Sequence, residues 1–113
     1  MPKGKVSFIS KEQLFEMLEN EEPLTLVEVL PEERYRSGHL PKAITIPLQE
    51  LEARAAALLP DRAAPIVVYC SSFLCTASTG AARLLQSMGY IAVRDYKGGK
   101  EDWTKAGLPL VTE

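Results

Sequence analysis

The run Ile66-Val67-Val68-Tyr69 passes directly into Cys70, and a helical pattern begins a few residues later. This constrains the fold more than anything else in the chain. A short, unbroken apolar run bounded by turn residues reads as a strand buried on both faces. Ala77, Ala81, Leu84, Leu85 and Met88 then recur at helical spacing, and Gly89 stands where a C-cap belongs. The unit is strand, tight loop, helix, and it recurs. Leu24 to Leu30 is a second buried strand, Ala43 to Ile46 a short third and Ile91 to Asp95 another. Strands alternating with helices predict an open, mainly parallel sheet of about five strands with helices on both faces, an α/β fold.

Helix signals lie between the strands. Ser10 and Gln13 form a capping-box pattern, and Ile9 and Leu14 sit at hydrophobic-staple spacing. Leu14, Met17 and Leu18 continue that helix, and Pro23 closes the region. Glu32 to Arg36 reads as one helical turn after Pro31. Leu48 to Leu59 has helical composition, with Leu51, Ala55 and Leu58 on one face. Gly98-Gly99 marks a turn before a short helix carrying Trp103. Parallel sheets bind ligands at the carboxyl ends of their strands. The residues that follow the strands are Leu30 to Glu33, Pro47, Cys70 to Thr76 and Tyr96 to Gly99, and they are expected on one face.

With 113 residues the chain is read as one domain, 1–113. The formal net charge is -2 and no basic stripe stands out, which argues against nucleic acid as a partner. No apolar run approaches the ~20 residues of a membrane-spanning helix. Met1 to Ser7 holds two lysines but no apolar signal core, so no membrane partner and a cytoplasmic location are expected. One His and two Cys cannot fill a four-ligand zinc site, so neither a metal nor another cofactor is expected.

In a reducing compartment a cysteine serves as packing, as a ligand or as a reagent. Cys70 stands where a central strand ends and a helix is about to begin. Backbone N–H groups of such a turn, with the helix start behind them, form a cradle for an anion. A thiolate or persulfide would be held there, and the thiol pKa lowered. Cysteine is also among the most buried residue types. Position alone leaves the packed and the reactive readings level.

Further motifs bear on this choice. The segment V-V-Y-C-S-S-F-L-C-T-A-S, the turn Gly38-His39-Leu40-Pro41-Lys42-Ala43, and Tyr96-Lys97-Gly98-Gly99 with Trp103 and Ala106-Gly107-Leu108-Pro109 follow in order. Together they resemble the rhodanese-like sulfurtransferase family over nearly the whole chain. The resemblance implies a rhodanese-like sheet. It implies that Cys70 is nucleophile and sulfur carrier. It also implies that the loop Ser71, Ser72, Phe73, Leu74, Cys75 and Thr76 holds the persulfide. Sulfane sulfur would pass from a donor to a thiol or cyanide acceptor, with a partner protein's thiol as one candidate acceptor. The sequence departs from the family pattern at Leu30, where an arginine is common, at Phe73, where a glycine is common, and at Lys42. The loop also lacks Lys and Arg. A thiol persulfide is therefore favoured over the thiosulfate dianion as donor.

Cys75 is either packing or a resolving thiol that attacks the Cys70 persulfide. His39 is expected to bond loop backbone, and Glu28 to bond loop N–H groups or an arginine such as Arg34 or Arg94. Trp103 and Tyr96 are expected in or beside the core, and Lys97 and Lys100 either at the solvated surface, the favoured reading, or facing the Cys70 loop with the positive charge that loop lacks. Phe73 and Leu74 form either an apolar rim or part of the core. A non-catalytic interaction module and a Cys70/Cys75 redox protein remain as alternatives. A phosphatase-like or arsenate-reducing enzyme is disfavoured, because the loop has no arginine to clamp a dianion.

Overall fold

Residues 66–69 form the middle strand of a five-stranded sheet in which every pairing is parallel. A computed structural model describes residues 5–113. Residues 1–4, part of the N-terminal stretch in which no signal core was read, lie outside the described residues. In chain order the elements are β1 (Ser7–Phe8), α1 (Lys11–Glu19), β2 (Thr25–Glu28), α2 (Glu32–Ser37) and β3 (Ile44–Thr45). They continue as α3 (Leu48–Leu58), β4 (Ile66–Tyr69), α4 (Ala77–Ser87), β5 (Val93–Tyr96) and α5 (Gly99–Lys105). The strand order is β1-β5-β4-β2-β3. β2 therefore has β3 on one side and β4 on the other, and the order reverses beside the end of β4. Crevices form at such reversals.

Side chains of β4 alternate between two apolar layers. Ile66, Val68 and Cys70 join Val27, Leu51, Ala55, Ala81 and Leu85, so α3 and α4 cover that face. Val67 and Tyr69 join Leu14, Leu26, Tyr96 and Trp103, under α1 and α5. Each large aliphatic side chain so buried contributes about 1.5–3 kcal/mol relative to exposure. This is why β4 reads as continuously apolar rather than alternating.

The caps form as the residues dictate. Ser10 and Gln13 make both bonds of the capping box. At the end of α4 the Tyr90 N–H bonds the Leu85 carbonyl and the Gly89 N–H bonds that of Gln86, which is a Schellman closure around Gly89. The expected Gly after Pro41 is Lys42, and it sits at φ 68°, the left-handed region glycine favours.

Three expectations need correction. Leu58 is 39% exposed, because the chain leaves helical geometry at Leu59 (φ −130°, ψ 66°) and it is Leu59 that is buried. Ile91 lies outside β5 and is 78% exposed, since its N–H bonds the Arg62 carbonyl instead of a sheet neighbour. Strand β1 has no signature of its own. It is two residues pairing with Arg94 and Asp95 at the sheet edge.

Candidate active site

Cys70 leaves the end of β4 with its side chain on the α4 side and none of its surface exposed. Its carbonyl accepts from the Lys100 N–H (3.1 Å), and the Ser71 carbonyl accepts from the Glu101 N–H (2.9 Å). Free N–H groups at the start of α5 thus clamp the main chain of the cysteine loop. Gly99 makes this approach possible. It sits at φ 63°, and a Cβ there would lie 2.3 Å from the Cys70 carbonyl oxygen. The loops after β2, β4 and β5 meet here, as the strand-end argument expects.

The two thiols are neighbours with different environments. The Cys70 thiol lies 3.6 Å from the Cys75 carbonyl oxygen and 3.4 Å from Ser78 Oγ. Burial pushes its pKa up, and hydrogen bonding to Cys75 adds to this, while the Ser78 hydroxyl and N–H only partly oppose it. Cys75 is half-buried. Burial works against ionisation there too, but hydrogen bonds from the Cys70 thiol, the Ala77 N–H and the Ser71 N–H and hydroxyl outweigh it and lower its pKa. Ser71 and Ala77 thus direct donors at the Cys75 sulfur, and Ser78 at Cys70. The loop N–H groups of Leu74 and Cys75 are committed to Ser72, to its hydroxyl (3.3 Å) and its carbonyl (3.0 Å). The helix start does supply donors, Ala77 to Cys75 and Ser78 to Cys70. Of the two thiols, Cys75 is therefore the more readily ionised and Cys70 the less. Iodoacetamide at neutral pH is expected to label Cys75 ahead of Cys70, with the Cys75 rate rising at a lower pH than that of a free cysteine. Peptide mapping over a pH series reads both.

Both lysines after β5 turn inward rather than to solvent. Lys97 Nζ donates to the Cys75 carbonyl at 2.7 Å. Lys100 Nζ donates to the Arg34 carbonyl (2.7 Å) and stands 2.9 Å from Glu28 Oε2. That contact is an ion pair outside hydrogen-bond alignment. Neither Arg34 nor Arg94 partners Glu28. Its other oxygen accepts from the Tyr69 hydroxyl (2.7 Å), which itself accepts from the Leu40 N–H (3.0 Å). With Glu28 fully buried and the Lys100 side chain 13% exposed, the pair ties β2 to the residue whose N–H holds Cys70. Lys100→Met would leave the carboxylate without its cation and is expected to cost about 3–5 kcal/mol in urea unfolding. Adding Glu28→Gln should recover most of that loss.

His39 bonds the Leu40 carbonyl (2.8 Å) and Glu113 (2.9 Å) and stacks on Tyr35, a scaffold role. Trp103 and Tyr96 lie in the core, edge to face. Phe73 and Leu74 are 59% and 92% exposed, so they form a rim. Phe73 also lines, with Phe8, Tyr96 and Lys97, a surface cavity of about 580 Å³. Sequence reasoning missed Ser78, which accepts from Cys70, and Asp95, fully buried with Oδ2 accepting from the Thr79 hydroxyl at 2.7 Å. The signal for Asp95 was a carboxylate inside an otherwise buried strand.

Known proteins with similar sequences carry the same frame. The family description "Rhodanese-like domain" matches residues 10–106. The chain is 41% identical over 87 residues to the HTH-type transcriptional regulator Rv0324 of Mycobacterium tuberculosis, across 77% of this chain and 37% of that protein. It thus spans well under half of that relative. It is 35% identical over 75 residues to the thiosulfate sulfurtransferase PspE of Escherichia coli, across 66% of this chain and 70% of that one. The solution structure of the rhodanese-like domain of the Anabaena protein Alr3790 superposes with a TM-score of 0.84 at 29% identity, over 94% of this chain and 79% of that one.

Proposed function

Because this chain belongs to the rhodanese-like domain family, we propose that it is a sulfurtransferase carrying sulfane sulfur as a persulfide on Cys70. The observation that carries this reading is the placement of Cys70 at the end of the central strand, in a loop clamped by the start of α5 and beside a second, more acidic thiol.

The reaction begins with a proton shift. Cys75, when ionised, takes the proton of the neighbouring Cys70 thiol, so Cys70 becomes the nucleophile. Cys70 attacks the sulfane sulfur of a donor R–S–SH and displaces RS⁻, which leaves as RSH with the proton from Cys75. Cys70 then holds the persulfide, and an acceptor thiolate or cyanide attacks its outer sulfur and regenerates Cys70.

A thiol persulfide suits the site better than thiosulfate. The loop has no Lys or Arg, and the nearby Lys97 ammonium is engaged by the Cys75 carbonyl. The exposed Phe73 and Leu74 offer apolar surface to a thiol or to a partner protein. Intact mass after mixing the reduced protein with thiosulfate, and separately with glutathione persulfide, tests the reading. A gain of one sulfur atom that cyanide removes, or a loss of two hydrogens with release of that sulfur as sulfide, is expected, and more of it with the persulfide. With neither sulfur gain nor hydrogen loss from either donor, an interaction module becomes the better reading.

A further inference from the structure

We propose that the Cys70–Cys75 pair gives the domain a second activity, reduction of the carried sulfur to sulfide, with Cys75 attacking the Cys70 persulfide. This deepens the carrier reading and rests on it.

The geometry supplies the parts. The Cys70 thiol lies 3.6 Å from the Cys75 carbonyl oxygen, and the Cys75 main chain is fixed twice, by its N–H to the Ser72 carbonyl (3.0 Å) and by Lys97 on its carbonyl (2.7 Å). Ser71 and Ala77 direct donors at its sulfur, which favours the thiolate needed for attack. Cys70, by contrast, is enclosed against Ser78 and the α4 layer. A persulfide there has Cys75 beside it in the same loop.

The step balances. The Cys75 thiolate bonds to the Cys70 Sγ, the bond from Sγ to the outer sulfur breaks, and that sulfur leaves with the electron pair as HS⁻. The two thiols are oxidised to a Cys70–Cys75 disulfide, and the sulfane sulfur is reduced to sulfide. A single turnover needs no other reagent. Repeated turnover needs a dithiol reductant, which reopens the disulfide by exchange.

The test is anaerobic mixing of fully reduced protein with glutathione persulfide, followed by sulfide assay and by alkylation and intact mass. Wild type should release about one sulfide per chain above a protein-free control, lose two hydrogens in mass and resist alkylation at both thiols. Cys75→Ser, given time to load fully, should keep the extra sulfur on Cys70 and release sulfide only at the control level. Wild type that keeps its sulfur on Cys70 while Cys75 remains open to alkylation would overturn this inference and leave the carrier reading standing. If neither wild type nor Cys75→Ser gains sulfur or loses hydrogens, the carrier reading falls, and this inference with it.

Discussion

Cys70→Ser takes up no sulfur from thiosulfate or glutathione persulfide, and its cyanide-dependent turnover falls by at least ~10³-fold. That is the largest effect expected of any single change. The hydroxyl differs from the thiol by one atom at a fully buried position that already faces Ser78 Oγ and the Cys75 carbonyl, so the fold should persist. What is lost is the chemistry, because a serine hydroxyl beside a thiolate base is neither readily ionised nor able to hold sulfane sulfur. Circular dichroism and urea unfolding close to wild type, together with lost sulfur loading, would place the defect in the reaction. Loading that survives the substitution would move the site elsewhere.

The second large effect belongs to a residue that touches no substrate. Gly99→Ala is expected to destabilise the protein by more than ~3 kcal/mol, seen as a drop in Tm of ~10 °C or more, and to impair sulfur loading in whatever protein remains folded. Two costs combine. An L-residue in the left-handed region costs about 1–2 kcal/mol. The new Cβ would also lie 2.3 Å from the Cys70 carbonyl oxygen and 2.9 Å from the Ser71 carbonyl carbon, so backbone must move. That movement would break the bonds from Lys100 and Glu101 that hold the loop. Gly107→Ala is the internal comparison. Gly107 sits at φ 82° with open space where its Cβ would go, so only the conformational cost applies. Equal losses in the two variants would show that the approach of α5 to Cys70 does not matter.

The sequence made β4 and the position of Cys70 legible because burial on both faces leaves an uninterrupted apolar run, and a turn-plus-helix pattern must follow it. Helix α1 was equally plain, since its capping box is a local bond between Ser10 and Gln13. Strand β1 was not, because two exposed residues owe their state to pairing with Arg94 and Asp95. Lys97 and Lys100 read as solvated for a similar reason. Their place after the last strand allowed them to face the Cys70 loop, but their partners, Cys75 and Glu28, are remote in sequence.

The amino-acid order by itself therefore determined the fold class, the strand that ends in Cys70 and the family pattern around it, because these rest on periodicity and on residues adjacent in the chain. Only the tertiary structure decided which thiol is the more readily ionised. Local logic put the donor cradle on Cys70. Folding buried Cys70 completely, turned the Ser71 and Ala77 donors toward Cys75, and brought α5 across to clamp the loop. Burial and hydrogen bonding set a thiol's ionisation, and both are properties of the packed chain.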